Sequence, residues 1–178
     1  MFIAHLPAGF ITTKLLFPYA KGYSVSYKAF LFWGMFGAII PDLDMFYFYL
    51  IDHHQHHHHR YASHFPIVWL CLLIIASLWF YKASTRKNAV LALIFSLNAF
   101  IHLCLDSIVG DIWWFAPFID QSFSLATVPA HYPYWWLNFI LHWSFALEII
   151  IISWATYLWN NTKQENRPNE AIINNRKQ

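Results

Sequence analysis

Residues 89–109 read AVLALIFSLNAFIHLCLDSIV: a run with no Lys, Arg or Glu, whose polar chemistry is concentrated in His102 and Asp106 near its end. At about 1.5 Å per residue such a helix crosses a hydrocarbon core of roughly 30 Å. His102 and Asp106 are four apart, so on a helix they leave the same face one turn from each other. A stretch this apolar that ends in an imidazole and a carboxylate defines an all-α, polytopic membrane bundle with its polar chemistry at one end.

The composition agrees. The chain has 178 residues, 58% hydrophobic and only 11% charged, with a mean hydropathy of +0.39. A soluble domain of this size carries roughly 25% charge. The net charge of +2 comes without the Lys and Arg clusters of a nucleic-acid face, so nucleic acid is excluded as a partner. The partners to expect are membrane lipids and a small-molecule or lipid substrate, and the oligomeric state is left open. Cys71 and Cys104 sit in apolar runs with no CxxC spacing and read as ordinary buried thiols. The N-terminus lacks a basic n-region and a small-residue cleavage site, so no cleaved signal peptide is expected.

Four more apolar stretches, 2–18, 29–51, 65–81 and 135–159, bring the expected spans to about five. The first carries His5, Pro7, Gly9 and Lys14, so a half-inserted or re-entrant helix is the alternative reading there. Residues 1–159 then form one membrane domain, and the polar, Asn-rich tail 160–178 reads as disordered. Lys and Arg fall before the second span, between the third and fourth, and after the fifth, whereas the other two loops hold only Arg60. The positive-inside rule puts the basic loops and the C-terminus in the cytoplasm. The His-rich loop 53–59 and the aromatic loop 110–134 lie outside.

This topology brings polar residues to one depth. Asp42 lies about 20 Å along its span from Ala29, and His102 about 20 Å from Ala89, with both helices running outward. Asp42, Asp44, His102 and Asp106 meet in the outer third of the bilayer, beneath the His loop and near His5. On an unbroken helix Asp42 and Asp44 would face nearly opposite sides; Pro41 breaks the helix there and lets both turn inward. An Asp at the centre of a span costs roughly 2.5 to 3.5 kcal/mol. A bound Zn²⁺ contributes about 10 to 16 kcal/mol in small peptides, enough to offset three carboxylates. His53, His54, His56, His57 and His58 read as an unspecific cation-gathering tract. Glu148, about 20 Å down the last span from Trp135, is expected outside the site.

Taken in order, His5, Pro41-Asp42-Leu43-Asp44, His59-Arg60-Tyr61-Ala62-Ser63-His64, His102-x-x-x-Asp106 and the aromatic stretch 113–118 resemble the membrane-bound metal-dependent hydrolases, inner-membrane proteins regulated by LexA in some bacteria. The resemblance covers roughly residues 2–118 and departs after His64, where Phe65-Pro66 stands in place of a Ser. That family is distantly similar to zinc-dependent phospholipase C enzymes, which implies a helical metal site acting on phosphoesters in a multi-pass protein of the bacterial inner membrane. The expected ligands are His5, Asp42, Asp44, His59, His64, His102 and Asp106, holding one or two divalent ions. A set of N and O donors without Cys favours Zn²⁺, with Mn²⁺ or Fe²⁺ next. Arg60 is the expected catalytic group, a guanidinium able to engage phosphate charge bidentately. The competing readings are a divalent-cation transporter and a metal-binding protein without catalysis.

Overall fold

The computed structural model describes residues 3–175, with side chains through residue 161. Its helices are α1 (His5–Ala20), α2 (Tyr27–Ile39), α3 (Asp44–Leu50), α4 (Pro66–Lys82), α5 (Lys87–Asp106), α6 (Trp135–Ile140) and α7 (Ser144–Asn175). No strand occurs among the described residues beyond one isolated bridge between Ile112 and Phe123.

Local chemistry sets the boundaries. Ser26 caps α2, its hydroxyl accepting the Ala29 amide at 3.2 Å, which satisfies one of the unpaired donors of a first turn. Pro41 ends α2, since it has no amide to continue the ladder. A short 3-10 turn, Pro41–Leu43, leads into α3 at a bend of 55°. Pro66 opens α4 at the first position, where its fixed φ suits a helix and its missing N–H costs nothing. Trp69, one turn later, donates its indole N–H to the Ser63 carbonyl at 2.6 Å and pins the incoming loop to α4.

α5 is the central helix, packed by α1, α2 and α4, while α7 lies on α1. Every fourth residue of α5 from Val90 is buried, and the chemistry changes along that ridge: Val90 and Ile94, then Asn98, then His102 and Asp106. At the end far from His102, Val90 and Ile94 join Ala20, Val25 and Phe30 in an aliphatic and aromatic plug. In the middle, Asn98 donates to Thr13 at 3.1 Å, and Thr13 donates to the Gly9 carbonyl at 2.6 Å. Small residues let the helices approach this closely. A Cβ on Gly34 would collide with Thr13, and one on Gly37 with the Phe95 carbonyl.

The outer faces are apolar. Phe32 on α2, Ile75 and Leu78 on α4, and Ile150 and Tyr157 on α7 are all more than half exposed, which suits surfaces solvated by lipid. Cys71 and Cys104, expected to be buried, lie on such outward faces instead. By length and composition α5 qualifies as a membrane span and the bent pair α2 and α3 as a second. α1 and α4, with 16 and 17 residues, stand at the short end of the roughly 17 to 25 residues that cross a hydrocarbon core. The expected fifth span is broken: α6 stops at Ile140 and α7 starts afresh at Ser144. α7 then continues to Asn175, past the Asn160 boundary expected of a disordered tail; residues 176–178 of that tail lie outside the described residues.

Candidate metal centre

At the site end of the bundle, donor atoms of Asp42, His64, His102 and Asp106 all lie within 4.8 Å of one another, an arrangement that could hold a metal ion. They come from three pieces of local structure. His102 and Asp106 follow from the α5 ridge. Asp42 follows from the Pro41 break, and His64 from a 3-10 turn, Ala62–His64, just before Pro66. His102 Nε2 is 3.0 Å from Asp106 Oδ2 and 3.4 Å from Asp42 Oδ1. His64 Nε2 is 3.6 Å from Asp42 Oδ1 and 3.9 Å from Asp106 Oδ2. Ligands at about 2.1 Å from a tetrahedral ion stand about 3.4 Å from each other, so these separations fit a shared cation.

The imidazoles are oriented for that role. His64 Nδ1 donates to Asp44 Oδ2 at 2.6 Å, and His102 Nδ1 to the Ala38 carbonyl at 2.8 Å. With Nδ1 carrying the proton, each ring presents Nε2 to the cluster. Both Nε2 atoms are buried and make no hydrogen bond, despite the carboxylates beside them. An orphaned pair of ring nitrogens facing two carboxylates is what a metal-ligating set looks like without its ion.

The remaining expected ligands are placed around this core. His5 Nε2 is 3.0 Å from Asp106 Oδ1, and its ring stacks on His102 with centroids 3.8 Å apart. His59 Nε2 is 3.9 Å from Asp106 Oδ2, while its Nδ1 donates to the Asp111 carbonyl at 3.1 Å. The two Asp106 oxygens are therefore divided between His5 on one side and His59, His64 and His102 on the other. Asp44 stands behind His64, held by that ring and by the Ser63 hydroxyl. Gly110 leaves room for the His59 ring, since a Cβ there would stand 2.7 Å from it.

Outside the spans, the charges follow from burial and partners. Burial pushes the His59 imidazole down to about 2 and the His58 imidazole to about 4, so both stay neutral. Burial opposes protonation of His64 as well, but the carboxylates of Asp42 and Asp44 beside its ring outweigh that and raise its pKa above the ordinary value.

Arg60 is not brought into the cluster. Its guanidinium holds both oxygens of Asp120 at 2.8 and 2.7 Å and lies over the Trp113 ring at 5.3 Å. The reason is local: His59 turns inward in the 3-10 turn His58–Arg60, and the next side chain emerges from the other side. Glu148 is displaced from its expected depth. Because α7 begins only at Ser144, Glu148 falls in its second turn, fully buried, and accepts the Ile3 amide at 2.6 Å two residues before His5. Sequence reasoning also missed the Ala38 and Asp111 carbonyls, for which a sequence carries no signal, and Ser63, which is part of the quoted motif.

A cavity of about 680 Å³ opens on the cluster. Asp42, His58, His59 and Asp106 contribute its polar lining, and Phe48, Tyr49, Trp135 and Phe139 its aromatic lining. The Asp42 side chain remains 42% exposed, so the cluster is reachable from this side although His64 and His102 are sealed.

An all-helical chain with apolar outer faces and a buried His/Asp cluster at one end defines a membrane protein with a candidate metal site. Residues 1–166 match the YdjM inner membrane protein family, and the chain belongs to it. Membership makes this an inner-membrane protein. Comparison with curated proteins and with solved structures finds no match.

Proposed function

We propose that the protein is a membrane-embedded, metal-dependent hydrolase that cleaves a phosphoester of a lipid or other membrane-associated molecule. The observation that carries this reading is the pair of orphaned Nε2 atoms of His64 and His102 facing Asp42 and Asp106, with Asp42 open to the cavity. A divalent ion bound there, Zn²⁺ before Mn²⁺ or Fe²⁺, supplies Lewis acidity and activates water for attack on a phosphoester. His64, His102, Asp42 and Asp106 hold it; His5 and His59, on the two oxygens of Asp106, complete the shell or support a second ion. Asp44 and the Ala38 carbonyl fix the ring orientations. The aromatic cavity wall suits an amphiphilic substrate, and the relation to phospholipase C enzymes that the motif resemblance implies would be consistent with the same chemistry.

The topology proposed with it has five spans, α1, α2, α4, α5 and α7, alternating in direction. Lys21, Lys82, Arg86 and Lys87 then lie at the cytoplasmic end with the C-terminus, and the site faces outward.

Metal content of untagged protein, measured by elemental mass spectrometry beside Asp42→Ala/His102→Ala and a variant lacking residues 53–58, tests the site. The expected result is one to two ions, lost in the double variant and kept without the run. Hydrolysis of bis(p-nitrophenyl) phosphate by the loaded protein tests the reaction. Full metal occupancy with no hydrolysis of any phosphoester offered would overturn the hydrolase reading.

A further inference from the structure

The His run is not one feature in three dimensions. His53 and His54 adopt left-handed backbone angles, with φ of 49° and 64°, and the His54 ring packs on Phe48 and Tyr49 at 4.6 and 4.7 Å. His56 is held by Asp52, which accepts from its ring at 2.7 Å and its amide at 2.9 Å. His54 and His56 are thus occupied locally, and His53 is exposed ahead of them. His57 and His58 are different. Their rings lie nearly parallel, 13° apart with centroids at 5.2 Å, and His58 continues to His59 at 4.0 Å and to His64 at 5.6 Å. Exposure falls along the same line: His57 is exposed, His58 half-buried, His59 and His64 buried. His57 Nδ1 accepts the His59 amide in a long bond of 3.3 Å, so the lone pair of this exposed ring is only weakly held and is the one a cation would take. His58 lines the cavity beside Asp42 and Asp106.

We propose that His57 and His58 form an outer divalent-cation site that loads the buried cluster through His59. The inference rests on the metal reading of that cluster. A hydrated cation arriving at the loop exchanges water for imidazole nitrogen at His57 and His58, and then exchanges one imidazole for the next at His59. Every donor on this route is an imidazole, which ligates in its uncharged form, so each exchange leaves the charge balance unchanged and the hold weak. Carboxylates enter only at Asp42 and Asp106, where the opposite charge and the low dielectric deepen binding. The route therefore has a direction, from a shallow site to a deep one.

The test is the rate of Co²⁺ loading into the metal-free full-length protein in nanodiscs, followed by the visible absorption of the four-coordinate ion. His57→Ala/His58→Ala is expected to load about tenfold more slowly, because a tethered site raises the local cation concentration. Its end-point spectrum should equal that of the wild type, which also reports that the cluster is intact. His53→Ala/His54→Ala/His56→Ala should load at the wild-type rate. Equal rates in all three proteins would overturn the loading role and leave the metal site standing, as would equal slowing in both variants. A wild-type protein that never develops the spectrum would remove the metal site itself.

Discussion

His64 and Asp44 are joined through Nδ1 and Oδ2 at 2.6 Å, and that bond decides which nitrogen of the ring faces the other carboxylates. Ser63 donates to the same oxygen, so the carboxylate is fixed before it fixes the ring. Asp44→Asn should weaken Zn²⁺ binding about 10- to 100-fold, the usual loss when a partner behind a ligating His is removed. Asp106→Asn should cost more, since it removes a charged donor shared by four imidazoles. Chelator competition on the purified variants checks both; equal losses would put Asp44 among the ligands.

How much of this was legible in the chain depends on what each residue answers to. The α5 pair could be read because helical periodicity alone puts His102 and Asp106 on one face. The turn at Pro41 could be read because proline chemistry is local. Which carboxylate would face the cluster could not, because that depends on where His64 arrives from a turn twenty residues later. Arg60 was misplaced for the same kind of reason. Its neighbour His59 is buried against the cluster, whereas Arg60 reaches Asp120 and Trp113 in the loop 110–134, a pairing that spacing along the chain does not foretell. Glu148 was misplaced because its depth was counted from Trp135 along a helix that in fact restarts at Ser144. The span count was read from hydropathy, which sees α1, α4 and α7 as apolar but is blind to their breaks and lengths.

The contact of α2 with α5 depends on Gly37, where a Cβ would run into the Phe95 carbonyl, a backbone group that cannot rotate away. Gly37→Ala should destabilise the bundle by roughly 1 to 3 kcal/mol, the range for overpacking a close-packed interface. Gly22→Ala, with nothing within 4 Å of the added carbon, is the control and should be close to neutral. Unfolding by sodium dodecyl sulfate in mixed micelles measures both.

Arg60 donates from one guanidinium nitrogen to both Asp120 oxygens, and the side chains are 46% and 71% exposed, so the pair contributes only about 0.2 to 1 kcal/mol. Arg60→Ala should therefore leave metal affinity within about fivefold of wild type. Its consequence should appear in the loop 110–134, which it ties to the His loop: limited proteolysis there should quicken alike in Arg60→Ala and Asp120→Ala. An Arg60 that instead binds phosphate would separate the two. Then Arg60→Ala would lose hydrolysis while Asp120→Ala, which frees the guanidinium, would keep or gain it.

Thr13 and Asn98 are the last polar pair below the cluster before the plug of Ala20, Val25, Phe30, Val90 and Ile94. Asn98→Leu should cost roughly 1 to 3 kcal/mol, because it removes a buried amide from a site shaped around its hydrogen bond. Thr13→Val/Asn98→Leu should recover part of that loss, since replacing both partners leaves less buried polarity unpaired. Neither variant should open a path. A transporter would need polar groups from the cluster to the far end of the bundle, and here the ridge of α5 turns aliphatic one turn beyond Asn98. Proteoliposomes loaded with a fluorescent zinc indicator should accordingly show no uptake above protein-free vesicles. Saturable uptake abolished by Asp106→Asn would mean that the cluster passes its cation onward.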